Sequence, residues 1–432
     1  MSLRRLRSVA ASAWTHRGIA MLAVVIGGGQ VGAALRRLAD PSPDFGLVAQ
    51  TYLAGWLWRA GVPLTALYDP TTLRAAQAQL QPDGPVLAAP WLQPPSLALL
   101  GIPLTPFTLP GAYSVFSLAA VAAVVVGLIG LGWRRPGGWN RSDWLLLAGI
   151  TLGSSGTLIA LRHGEPTPIA FAAAGWLLAA AENRRNRLAL GLAFLLGTIS
   201  ATVWILVLLL GITRRWRSML WMGGTAAGAS LLCLSLFGPA AYAGYLGALW
   251  SPDALPAAAD PSLHGQLRWI FSLRGVESAL PVHAVSALVL VLGLLAFRRQ
   301  PNPEVPEWRG LPVGIGLLLG TLVLPGALPS RTLLALPALW IAGRLAVRGQ
   351  ATAAQWGTLI LAGALLVVPW PTRWLASSGL GAGWVPVVGE IVLLLWLARA
   401  LADPGLAERI ADGEIADPDG RRSVGPSGVL KG

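Results

Sequence analysis

The chain has 432 residues, 54% hydrophobic and 12% charged, with mean hydropathy +0.62. Apolar stretches of roughly 16–24 residues, enough to cross a bilayer core, recur along most of it, which excludes a sizeable soluble domain and predicts a polytopic membrane protein. The net charge of +13 comes from 32 basic residues, all arginine except Lys431, clustered in short loops at alternate membrane ends: a positive-inside pattern, not a nucleic-acid surface.

In chain order, Arg4, Arg5 and Arg7 precede an apolar run, 18–35. That outline resembles a signal peptide. It lacks a small-residue cleavage site and Arg36-Arg37 follows, so a retained first helix is expected. Spans are predicted at 18–37, 110–132, 143–160, 166–181, 217–237, 277–297, 310–325, 331–348, 353–370 and 383–401. Segment 188–212 has basic residues at both ends: Arg184, Arg185 and Arg187 before, Arg214, Arg215 and Arg217 after. A re-entrant hairpin turning near Gly197-Thr198-Ile199-Ser200 keeps both clusters inside, and it must be buried or line a wet cavity. The clusters Arg4–Arg17, Arg134–Arg141, Arg184–Arg187, Arg214–Arg217, Arg298–Arg309 and Arg344–Arg348 then face the cytoplasm with the C-tail. Both termini are cytoplasmic, and the outer face holds 38–109, 161–165, 238–276, 326–330 and 371–382.

The outer loop 38–109 is too long to be idle. Residues 46–60 and 71–80 have helical apolar spacing and are expected to lie on the membrane surface. After Pro94-Pro95 the run 96–109 is too short to span and is expected to dip into the bilayer. The tail 403–432, Gly/Pro/Ser-rich at its end, is expected to be mobile.

No phosphate-binding Gly loop, nucleophile elbow or metal-ligand spacing occurs. Cys233, the lone cysteine, excludes an intramolecular disulfide and a cysteine metal site. What remains is a set of outer-face polar groups. Asp44 follows the first span, where a carboxylate is costly unless used; a lone Asp there also reads as a helix cap. Arg162-His163-Gly164-Glu165 forms a short turn, and Ser262-Leu263-His264-Gly265-Gln266 lies in the third outer loop. Arg331 opens a span, where a helix N-terminus and a guanidinium together favour an anion. Each has a plainer reading as an interfacial, solvated or snorkelling side chain. Together they supply a carboxylate and several cations on one face, which is what sugar transfer from a lipid phosphate needs: a base for the acceptor hydroxyl and neutralisation of the leaving phosphate.

Over residues of about 19 to 345 the chain resembles glycosyltransferase family 87. The resemblance is carried by Asp44-Phe45, Tyr52-Leu53-Ala54-Gly55, Leu67-Tyr68-Asp69-Pro70, the stretch from Gln93-Pro94-Pro95 to Pro103-Leu104, His163-Gly164-Glu165 and Ser262-Leu263-His264-Gly265. It implies an all-α GT-C fold of about ten transmembrane helices over 1–402, with a re-entrant hairpin and outer-face amphipathic helices. It also implies a glycosyltransferase that moves a hexose such as mannose from a polyprenyl phosphate to a hydroxyl acceptor outside a bacterial plasma membrane. The expected partners are a lipid-linked sugar donor, a glycan or glycolipid acceptor and membrane lipids, with no nucleic acid, metal or cofactor. Asp44 would be the general base. Arg331 would hold the donor phosphate, with His163 and His264 as weaker partners, and Tyr52, Trp56 and Trp91 would stack on sugar faces. The chain departs from the family pattern at three places. A Gly-Gln pair is Gly164-Glu165 here, a Lys-Pro pair falls at Ser200-Ala201, and two histidine positions are Ser330 and Arg331. These departures keep open a catalytically degenerate homologue that scaffolds envelope synthesis. A lipid or polysaccharide transporter would want inverted repeats and midplane charges, and neither is evident.

Overall fold

The computed structural model describes residues 46–80, 91, 93–133, 141–183, 186–250, 260, 262–275, 280–298, 306–324, 329–348, 351–367 and 383–403, with scattered positions between 21 and 36. Among the described residues 88% are helical and none is in a strand. Asp44 and the tail beyond residue 403 lie outside the described residues.

Helices occupy most of the predicted segments among the described residues, whereas the first, 18–37, lies largely outside them. Helix α1 is Gly46–Arg59 and α2 is Pro70–Leu80. Helix α3 is Leu109–Gly132; α4, Arg141–Gly153, is followed by α5, Ser155–His163. Then come α6, Thr167–Glu182, α7, Asn186–Ile199, and α8, Thr202–Ile212. Helix α9 is Trp216–Phe237, α10 Pro239–Trp250 and α11 Leu263–Leu273. Helix α12 is Leu280–Ala296, α13 Pro306–Val323, α14 Leu336–Arg348, α15 Ala353–Val367 and α16 Trp384–Ala402. A 3-10 helix, Pro329–Ala335, leads into α14.

Three of these, α3, α9 and α16, are long and apolar enough to cross a membrane. The span expected at 143–160 is two helices, Trp144–Gly153 and Ser155–His163, bent by 52° and a fourth crossing if counted together. The bend has a local cause: the Ser154 hydroxyl accepts from the Thr157 backbone N–H at 3.1 Å and caps a new helix. Outward faces carry large apolar side chains, among them Leu118, Leu220, Leu231, Ile360 and Leu395, each more than 60% exposed. Such faces suit a lipid surround.

Helix α13 is the axis, buried without a break from residue 310 to 323, as expected of a helix apolar all round. Pro312 inside it lacks an N–H and frees the Trp308 carbonyl. Arg215 supplies the missing donor: Nη2 donates to the Trp308 carbonyl and Nη1 to the Arg309 carbonyl, both at 3.3 Å. At the far end of the α7–α8 pair, the helix breaks at Ser200-Ala201, beside the expected hairpin tip.

Glycine seams set the spacing. Gly127 of α3 and Gly175 of α6 meet backbone to backbone. Gly55 of α1 lies against Gly101, in the run of short helical turns from Pro95 to Leu104. Residues 48–55 of α1 are buried, because a glycine pair lets another backbone approach where a side chain would hold it off.

Candidate functional site

Two ends of the chain meet at the 163–167 turn. Helix α5 ends with Arg162 and His163, basic residues that suit a helix C-terminus. Gly164 caps it at φ +63, the left-handed conformation that favours glycine. A Cβ there would collide with Val48 of α1, so the turn and α1 are in direct contact. One turn from the start of α5, Gly156 lies against the backbone of the 3-10 helix, 2.8 Å from the Leu333 nitrogen to where its Cβ would stand.

Glu165 is the keystone. It is 3% exposed and accepts a hydrogen bond from the Ser330 hydroxyl. The Ser330 oxygen lies 2.6 Å from the Thr167 hydroxyl. Burial pushes the Glu165 carboxyl up to about 8, against the pull of the Ser330 hydrogen bond and the Arg331 guanidinium. Arg331 is half-buried and is in electrostatic reach of Tyr245 on α10 as well.

Tyr245 is also a wall of a cavity of about 110 Å³ that gathers side chains from five segments. Ser96 comes from the Pro-Pro-Ser turn, Ser200 from the α7–α8 break, Trp204 from α8, Ser230 from α9, and Tyr242 and Tyr245 from α10. Burial raises both phenols. The Tyr68 ring packs on Tyr245, centroids 6.2 Å apart, and its hydroxyl donates to the Gln93 carbonyl at 2.8 Å. The Leu-Tyr-Asp-Pro and Gln-Pro-Pro stretches are thereby tied together at the cavity rim. Asp69 itself caps α2: its Oδ1 accepts from the Thr71 N–H at 3.1 Å and the Thr71 hydroxyl at 2.8 Å. Those bonds, with Thr72 foremost, hold its carboxyl down to about 2.

The sequence-selected residues divide. Arg331 and the turn carrying His163 come together, and His163 is half-buried beside Gly164. His264 makes its contacts elsewhere. It is buried, stacked on His283 at 4.8 Å between centroids, with Nδ1 3.4 Å from the Ser286 hydroxyl. Burial first, then His283 and Arg268, push it down to about 4. That burial disfavours its charged form. Nearby, Asp260 accepts the Ser262 N–H at 2.9 Å, and Glu390 on α16 bonds Thr321. Tyr52 is buried with its hydroxyl on the Phe107 carbonyl at 3.0 Å. Trp91 is fully buried and Trp56 half-buried against the main core, so in this conformation these three rings serve packing. Among the described residues no group of three or more His, Cys, Asp or Glu side chains could hold a metal ion.

Sequence reasoning missed Tyr242 and Tyr245, and saw Glu165 only as part of a short turn and as a departure from a Gly-Gln pair. One signal was available: a Tyr-x-x-Tyr pair in an outer helix puts both rings on one face.

Compared with known families, residues 91–325, more than half of the chain, match the model of glycosyltransferase family 87. No curated protein and no solved structure matches. The matched span takes in the cavity and Glu165 but not Asp44, Tyr52 or Arg331.

Proposed function

The chain belongs to glycosyltransferase family 87 and is thus a glycosyltransferase with a sugar donor and an acceptor; from that premise we propose that it transfers a hexose, mannose being the leading candidate, from a polyprenyl phosphate to a hydroxyl acceptor on the outer side of the plasma membrane. The proposal includes a GT-C-like bundle of about ten spans over 1–402, a re-entrant α7–α8 hairpin, both termini in the cytoplasm and a cytoplasmic tail.

The observation that carries it is the placement of Arg331. Arg331 lies in the first turn of the 3-10 helix, next to Ser330, which bonds Glu165 and Thr167, and within electrostatic reach of Tyr245 on a cavity wall. A half-buried cation beside a hydroxyl-lined cavity suits a sugar phosphate. In the proposed step the acceptor hydroxyl gives its proton to Asp44. Its oxygen bonds to the sugar C1, the C1–O bond to phosphate breaks, and the phosphate leaves with its charge met by Arg331. The Asp44 role rests on its sequence position, just before the helix whose Val48 touches the Gly164 turn. His163 is the secondary phosphate partner; His264 is left a hydrogen-bonding role. Tyr52, Trp56 and Trp91 act on sugar only if the rim at α1 and the Pro-Pro turn opens.

The test is transfer from a polyprenyl-phosphate sugar by purified protein. Asp44→Asn should lower turnover about 10²–10⁴-fold while leaving donor binding. Arg331→Ala should lower donor affinity or turnover by one to two orders of magnitude, for a charge-assisted contact worth roughly 1.5–3 kcal/mol. Arg331→Lys should recover part, because an ammonium cannot make the bidentate grip. Parent-like transfer by both Asp44→Asn and Arg331→Ala would refute the mechanism.

A further inference from the structure

The cavity beside Tyr245 has a chemistry of its own. Five hydroxyls line it, from Ser96, Ser200, Ser230, Tyr242 and Tyr245, together with the Trp204 indole. No charged side chain is among its lining residues. An anion moved into such a space would be desolvated without a counter-charge, so the phosphate belongs outside it. A lipid tail would leave the spare lone pairs of these hydroxyl oxygens facing hydrocarbon, so it too is a poor occupant.

An uncharged polyol meets both conditions. The Ser230 hydroxyl donates to the Ala226 carbonyl at 3.0 Å. Ser200 pairs with the Thr202 hydroxyl at 3.0 Å. A hydroxyl that donates to the protein keeps an oxygen lone pair to accept from a sugar O–H. An indole offers an apolar face to sugar C–H groups. About 110 Å³ is room for roughly four waters at about 30 Å³ each, a scale that admits one edge of a single sugar ring rather than a chain of them. Arg331 is within electrostatic reach of the wall residue Tyr245, so a ring inside lies toward the cation outside.

We infer that this cavity is a sugar pocket that takes one edge of an uncharged hexose ring, fixed by the serine and tyrosine hydroxyls and packed on Trp204. The inference rests on the sugar-transferase reading of this site and adds where the ring sits and what reads it.

The experiment uses the full chain in nanodiscs with four probes: farnesyl phosphate, farnesyl phosphate carrying mannose or glucose, and an octyl hexoside. Ala201→Leu fills the cavity from its half-open edge; the double variant S200A/S230A removes two hydroxyls with little change in volume. Both should bind sugar-bearing probes at least tenfold more weakly and farnesyl phosphate as the parent does. Loss for the hexosyl phosphates means that the ring is the donor's; loss for the octyl hexoside alone means that it is the acceptor's. Either outcome supports a sugar pocket. Unchanged binding of every sugar-bearing probe in both variants, or no binding of any by the parent, overturns it. The donor reading fails separately: farnesyl phosphate then ignores Arg331→Ala while the octyl hexoside still depends on the cavity.

Discussion

Replacing Glu165 by Gln isolates the electrostatic cost of the site. The carboxyl is 3% exposed, and burial carries it from 4.5 to about 8. A folded value above the unfolded one means that its contribution to stability is fully present below about pH 4.5. It is lost progressively as the pH rises to about 8, because the unfolded chain releases the proton that the folded chain keeps. At pH 7 the interval travelled is about 2.5 pH units, or about 3 kcal/mol at 1.36 kcal/mol per unit. Glutamine has the same shape, and its amide oxygen still accepts from Ser330, but it does not titrate. Unfolding midpoints of parent and Glu165→Gln, followed in detergent from about pH 4.5 to 8.5, should coincide at the acid end. They should separate steadily toward pH 8, with the variant more stable. Parallel curves would refute the reasoning. A variant less stable at every pH would show that Arg331 holds the carboxylate ionised and that the sign is reversed.

Further expectations follow from other contacts. Reporter fusions after residue 186 and after residue 215 should both report the cytoplasm if α7 and α8 form a hairpin; an outer location for the second means a single crossing. Arg344→Ala should cost about 3–5 kcal/mol, since Arg344 Nη1 sits 2.7 Å from the buried Glu182, and calorimetry of Glu182→Gln/Arg344→Ala should recover part of it. Gly164→Ala should reduce folded yield, because its φ is +63 and its Cβ meets Val48; added Val48→Ala should relieve the collision but not the backbone strain. Asp69→Asn should weaken the start of α2, seen as local hydrogen exchange, and leave the transfer rate near the parent's.

Helix positions were legible because apolar run length is written directly in the sequence. The α3, α9 and α16 limits fall within a residue or two of the predicted spans. The 52° bend before α5 was not foreseen, since a single Ser154 cap decides it. The burial of α1 was not legible because amphipathic spacing says which face is apolar, not whether another backbone covers the opposite one. At the site, Arg331 was found from its place at a helix start, whereas its partnership with Glu165 joins residues 166 positions apart and has no local signature. His264 shows the converse: the sequence gives no sign of the stacking on His283 and the burial that disfavour its charged form.

The glycine contacts at 55, 101 and 156 restrict how this site diversifies. Where backbone rests on backbone, an element cannot tilt or slide to suit a new substrate without opening the whole seam. Selection is then confined to exchanging side chains on an unmoved frame, one acid, hydroxyl or cation at a time. The three departures that the resemblance implies, at Glu165, Ser200 and Ser330-Arg331, would be replacements of that kind, with Glu165 and Ser330 bonded to each other. A swap at one of them strands its partner, so changes here are expected to arrive in matched pairs, and single reversions such as Arg331→His should do worse than the double with Glu165→Gln.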